Sequence, residues 1–350
     1  MLKKHILLPL ILVGFALGIT SCKKKRFEDQ TAPTEIVYAV GRDGYVATYW
    51  KNGVATQLGT TAGSSDANAL VLNGNDVYIS GYQIGTNGKY VARYWKNGVG
   101  TDLTDGTKDA MANDIVIVGT DIFIAGQETN GQTANWKAKY WKNGVPVTLS
   151  SEAENAVANG IAVVGQDVYV IGTRREPSWL TGVTCYWKNG QVIDLADRST
   201  APSYQAIVQS EGQVHMGWST AYNNLGQSQS FYSKNMDVPI MINDGTSDAT
   251  MHGITISGSD TYLAGWGIHN NAIVAKYWKN GNQVLLSDGS KSAFALAIAV
   301  YGNDVYVAGD RENPQSGKAS IATYWKNGTA ISLSNGNSDA LVRDIAVSKN

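Results

Sequence analysis

The stretch "YWKNG" stands at Tyr49–Gly53 and returns letter for letter at Tyr94, Tyr140, Tyr186, Tyr277 and Tyr324. A degenerate copy, Tyr232-Ser233-Lys234-Asn235, lacks the tryptophan and the glycine but keeps the register. The seven units recur every 45 to 47 residues, a period that signals a repeat architecture. Asn-Gly between two β-forming runs is the strongest short hairpin signal, because both central residues of a type I′ turn take positive φ. The Tyr and Trp before it point to opposite faces of their strand, so each unit carries a large aromatic on both faces. A sheet that is apolar on both sides must be covered on both sides.

Each unit reads as four short strands, A to D. Strand A is of the type "DAMANDIVIVG" (Asp109–Gly119) and strand B of the type "DVYVAG" (Asp304–Gly309), joined by tight turns such as Asn73-Gly74-Asn75-Asp76. Strand C ends in Tyr-Trp-Lys, and strand D follows the Asn-Gly hairpin. After Thr34 the chain supplies only strands B, C and D, "EIVYAVG", "YVATYW" and "VATQLG"; its last segment, "SDALVRDIAVSKN", supplies only a strand A. Six whole units and these two fragments predict an all-β, seven-bladed β-propeller with four-stranded blades over residues 35–350. The C-terminal strand pairs with the N-terminal strands to close the ring. Closure removes exposed strand edges, whereas an open β-solenoid needs terminal caps that neither end provides.

Units such as Ser247-Asp248-Ala249 through Gly265, with Asp260-Thr261-Tyr262-Leu263-Ala264, resemble the bacterial propeller repeats called SBBP repeats. The resemblance spans nearly all of the chain after Thr34 and implies a propeller, not a reaction.

The N-terminus reads differently. Lys3 and Lys4 precede an apolar run from Ile6 to Leu17, and small residues lead to Cys22, the layout of a secretory signal peptide over residues 1–21. Ile19-Thr20-Ser21-Cys22 resembles the lipobox of bacterial lipoproteins, which implies cleavage before Cys22 and a diacylglyceryl group on its thiol. Residues 22–34, beginning with Lys23-Lys24-Lys25-Arg26, read as a solvated, lipidated tether. The expected place is the bacterial cell envelope, at the outer membrane, held through the lipid anchor. Cys185 is the only other cysteine, so stability must come from packing. The net charge of −1 has no basic footprint for nucleic acid.

Two rings of unlike residues interrupt the uniform framework. After the strand B glycine come Arg42, Tyr82, Gln127, Thr173, Trp218, Trp266 and Asp310. At the mouth of strand A come Asn68, Asn113, Asn159, Tyr204, His252, Leu296 and Arg343. Both rings are expected to encircle one end of the central channel, on the face whose B-to-C connections vary from 7 to 14 residues; recognition tends to sit on such loops. With Trp179 from a long loop, the candidate ligand-binding set is Arg42, Tyr82, Trp179, Tyr204, Trp218, His252, Trp266, Asp310 and Arg343. Indole faces beside polar groups suit sugar rings or protein partners, although buried indoles that plug gaps between blades explain the tryptophans equally.

Catalytic groups are sparse. His215 replaces a strand B aromatic and reads as core, and His252, near the channel mouth, is a lone histidine that reads more readily as a hydrogen-bonded packing residue than as a base. Asp105/Asp109 and Asp244/Asp248 lack the full alternating ligand loop of a calcium site, so no metal and no cofactor is expected. Glu128, Glu176, Asp310 and Glu312 lie in variable loops where paired carboxylates would cleave a glycosidic bond if their separation allowed it. The reading favours a non-enzymatic envelope protein that binds a glycan or a protein. A carbohydrate-active enzyme and a scaffold subunit of an outer-membrane complex are the alternatives.

Overall fold

The computed structural model describes residues 35–350 apart from 60–62, 132–134, 179–180, 196–201, 221–227, 243–247, 270–271 and 316–318. The expected signal peptide (1–21), Cys22 with the tether (22–34), Trp179 and Asp244 lie outside the described residues. Residues 35–350 form one unit, a seven-bladed propeller of four-stranded antiparallel sheets. Blade 1 pairs Ala340–Lys349 with Glu35–Asp43, then Val46–Lys51 and Val54–Gln57. Blades 2 to 7 follow in chain order over 65–102, 110–148, 155–194, 202–241, 250–285 and 293–332. Each strand A touches the next, and the last, Ala340–Lys349, touches that of blade 2, Ser65–Asn73, so the seven innermost strands close on themselves.

Each part of the repeated pentapeptide serves the fold, the tryptophan inside it and the Lys-Asn-Gly turn at its surface. Its six tryptophans, Trp50, Trp95, Trp141, Trp187, Trp278 and Trp325, are only 1–2% exposed and fill the gaps between blades. Trp187, for example, lies among Ala125 and Ala138 of blade 3 and Ala156 and Ala158 of its own blade, where small residues leave room for an indole. The motif asparagines take the left-handed conformation, φ 51 at Asn97, and the following Gly98 has φ 83, as a type I′ turn requires. Asn97 Oδ1 accepts the Val77 N–H at 2.9 Å, and its Nδ2 donates to Asp76 at 2.7 Å. Lys96 pairs with the same Asp76 at 2.8 Å and lies 5.1 Å above the Tyr78 ring. The same Lys–Asp–Asn arrangement recurs around Asp121, Asp167, Asp260 and Asp304. The face carrying these turns is therefore built by repetition.

Strand A departs from regular pairing in every blade. One residue is squeezed out of register in six of them: Asn68, Asn113, Asn159, His252, Leu296 and Arg343. Such a bulge tilts a side chain away from the ladder and sharpens the local twist. It also demands the strand B glycine. A Cβ on Gly126 would stand 2.0 Å from the Met111 carbonyl oxygen, and one on Gly172 2.0 Å from that of Val157.

Blade 5 solves the same problem differently. Cross-strand pairing sets Trp218 opposite Phe231 and Met216 opposite Ser233, as it sets Gly172 opposite Cys185 and Val170 opposite Trp187 in blade 4. Trp218 therefore holds the place of the strand B glycine, and Ser233 that of the motif tryptophan. The two sites have exchanged bulk. The Trp218 indole, 1% exposed and stacked on Phe231, packs against Ile171 and Tyr186 of blade 4, closing the gap that Ser233 leaves. With no glycine there, the register irregularity moves to between Pro202 and Gln205.

Candidate functional site

The bulges aim their side chains into the axis of the ring. Asn68, Asn113, Asn159, His252, Leu296 and Arg343 line a central cavity of about 230 Å³. In blade 5 the lining residue is Gln205, not Tyr204 as the sequence spacing suggested, because the bulge there is displaced. On one side the amides form a relay around the ring. Asn68 donates to the Ala112 carbonyl at 2.9 Å, Asn113 to that of Ala158 at 2.8 Å, and Asn159 to Gln205 Oε1. Gln205 Nε2 is buried without a partner among the described residues.

Two carboxylates stitch strand A of one blade to that of the next. Asp114 accepts the Ile161 N–H at 2.8 Å, and Asp344 accepts that of Leu70 at 2.8 Å. Burial pushes Asp114 up to about 6 and Asp344 up to about 7, against the stabilising backbone donors. Neither residue stood out in the sequence expectations. The available signal was an aspartate inside an apolar strand, at a position where Ala69, Gly160 and Ala297 stand in other blades.

Above the opposite wall a mixed polar and aromatic group assembles. Arg343 pairs with Asp66 at 2.9 Å; Asp66 is 1% exposed, whereas 40% of the Arg343 side chain stays open. His252 is held to about 3 by burial, with the Arg343 charge adding to it, so the ring is neutral. Its Nε2 accepts the Trp266 indole N–H at 3.0 Å, which leaves the ring proton on Nδ1. Tyr204, 41% exposed, lies against the same imidazole with ring centroids 3.4 Å apart, and Trp266 is half-buried, edge-on to Phe294. Burial raises Asp310 to about 6 while the Arg343 and Arg42 guanidiniums pull against it. Burial and the Asp66 carboxylate raise the Tyr82 phenol, and Arg42 Nε is buried without a partner among the described residues.

His252 and Arg343 thus line the cavity, and Tyr204, Trp266, Tyr82, Asp310 and Arg42 act on them directly or on one another. Trp218 does not join them: its indole is core, and it is not equivalent to Trp266, as the spacing after the glycine suggested. Gln127 is also buried, held by Asn113. Of the four loop acids, Glu128 pairs with Lys139, Glu176 with Arg174 at 3.1 Å and Glu312 with Lys291 at 2.6 Å. They sit in three different blades, whereas Asp310 feels the charges of Arg343 and Arg42. His215 is core, bonded to the Tyr232 hydroxyl at 2.7 Å, and burial raises the Cys185 thiol. Asp105 closes its own turn by accepting the Thr107 N–H at 2.9 Å, and no cluster of three metal-binding side chains occurs among the described residues.

The sequence matches no family model and no curated relative. Among solved structures it is similar to puromycin hydrolase, with a TM-score of 0.57 at 11% identity over 88% of this chain and 53% of that one. The propeller domain of the Trilobed protease from Pyrococcus furiosus gives a TM-score of 0.49 at 11% identity, over 88% of this chain and 96% of that one. The chain spans about half the length of puromycin hydrolase. These likenesses concern the fold alone.

Proposed function

We propose that the protein is a lipid-anchored, non-enzymatic binding protein of the bacterial envelope that takes a glycan at the Arg343 end of its central channel. The observation that carries this reading is the meeting of two surfaces there. Tyr204 and Trp266 offer aromatic faces braced by a neutral His252, beside the charged group of Arg343, Asp66 and Asp310. A sugar ring needs both, an apolar face for its axial C–H groups and fixed polar partners for its hydroxyls. The other face has its lysines, asparagines and aspartates engaged with one another, which supports assigning recognition to this one. A glycan array probed with the full-length protein tests the reading. Binding is expected, with loss of about tenfold or more in Trp266→Ala and Arg343→Gln variants. An array without signal, or binding indifferent to both substitutions, overturns it. The lipid anchor is tested separately, since a Cys22→Ser variant should leave the membrane fraction.

One observation favours a second reading, a carbohydrate-active enzyme. Asp310 has a raised pKa near two arginines, the state a general acid requires. Product formation from a bound glycan that disappears in Asp310→Asn would establish it.

A further inference from the structure

Strand pairing places two arginines at the same point of their blades. Arg174 follows Gly172 by two residues and pairs across to Ala156; Arg311 follows Gly309 by two and pairs across to Ala293. Their surroundings differ. Arg174 grips Asp194 with two parallel bonds of 2.8 and 3.0 Å and reaches Glu154 at 2.9 Å and Glu176 at 3.1 Å. In blade 7 the position of Asp194 is held by Ser332, and that of Glu154 by Lys291. Among the described residues, Arg311 therefore has one hydroxyl partner, Ser332 Oγ at 3.0 Å, and its Nε is buried without a partner.

A guanidinium presents a planar fork that matches a carboxylate, and a buried donor left unpaired is costly. Arg311 lines a cleft of about 670 Å³ whose walls include Leu286, Pro314 and Trp325, with Lys291 also lining it. We infer that this cleft, between blades 6 and 7, binds a small organic carboxylate with an apolar body, its carboxylate completing Arg311 as Asp194 completes Arg174. Asp288 and Glu312 also line the cleft, which disfavours a doubly charged anion such as a phosphate monoester. The site is separate from the channel end and does not depend on the glycan reading.

The test is calorimetry on the full-length protein with hexanoate, 3-phenylpropionate and indole-3-acetate, each against its neutral amide. At least one acid should bind saturably, and its amide should bind tenfold or more weakly, the scale of a lost charged hydrogen bond. Ser332→Asp supplies the missing carboxylate from the protein itself, so this variant should melt no lower than the parent and lose acid binding. Arg311→Gln should lose it as well. The inference is overturned if none of the three acids binds, if acid and amide bind alike, or if acid binding survives in folded Ser332→Asp or Arg311→Gln protein.

Discussion

Asp344 Oδ2 accepts the backbone N–H of Leu70 at 2.8 Å, tying the last strand of the chain to the innermost strand of blade 2 across 274 residues of sequence. Nine further pairings join that strand to Glu35–Asp43, so blade 1 draws on both ends of the chain. Asp114 makes the same stitch from blade 3 to blade 4. Leu70 and Ile161 lie on the innermost, edge strands of their sheets, and the two carboxylates accept N–H groups there.

Removal of Ser338–Asn350 takes away the inner strand of blade 1 and exposes the apolar surfaces of blades 1, 2 and 7 together. Thermal unfolding followed by circular dichroism should show the cooperative transition lost or lowered by far more than 10 °C, since a few kcal/mol is already a large part of a domain's stability. An unchanged melting curve would mean that the ring does not depend on this closure.

Asp344 has its pKa raised to about 7 by burial, above the unfolded value near 4. The folded state therefore holds a proton that the unfolded state has released, and the stability tied to this group is lost as pH rises from about 4 through 7. His252 works in the opposite sense over about 3 to 6.5, being neutral when folded, so the difference between parent and variant is what isolates Asp344. Relative to the parent, Asp344→Asn should gain stability between pH 5 and pH 8, on the order of 3 kcal/mol. Urea unfolding at the two pH values measures it; a difference independent of pH would refute the assignment.

Gly126 and Gly217 look alike in sequence and should respond differently to alanine. At Gly126 the new Cβ meets a backbone oxygen at 2.0 Å, which cannot yield without undoing the bulge. At Gly217 the nearest atom is the terminal methyl of Met251, which can turn aside. Denaturant titration should show Gly126→Ala losing about 3 kcal/mol and Gly217→Ala about 1 kcal/mol or less.

The exchange of bulk in blade 5 makes Trp218 and Ser233 an interacting pair. Trp218→Gly alone should cost about 3–5 kcal/mol by emptying the gap between blades 4 and 5. Adding Ser233→Trp restores the arrangement of the other blades and should recover much of that loss. A double-mutant cycle gives the coupling, and purely additive losses would show that the two side chains do not share one space.

The pentapeptide made most of the framework readable. Asn52 and Gly53 specify their turn by their own backbone preferences, and Tyr49 and Trp50 alternate faces by the geometry of any strand, so neither needs distant partners to be understood. His215 was likewise legible as a core residue from its place in strand B. Tyr204 was not, nor was Trp218. Trp218 was placed by its position after a glycine and Tyr204 by its spacing along strand A, and both counts fail where blade 5 shifts its register. Arg311 escaped notice for a related reason: its lack of carboxylates appears only when strands B, C and D of two blades are laid side by side.

What the sequence determined by itself was the number of blades, the hairpin of each unit and the closure of the ring, because period, turn chemistry and face alternation are local properties of the chain. Which side chains look into the channel, which tryptophan is core and which arginine is left wanting an anion were decided only by the tertiary structure. Those outcomes depend on how one strand registers against another, and that register is settled by packing among residues far apart in sequence.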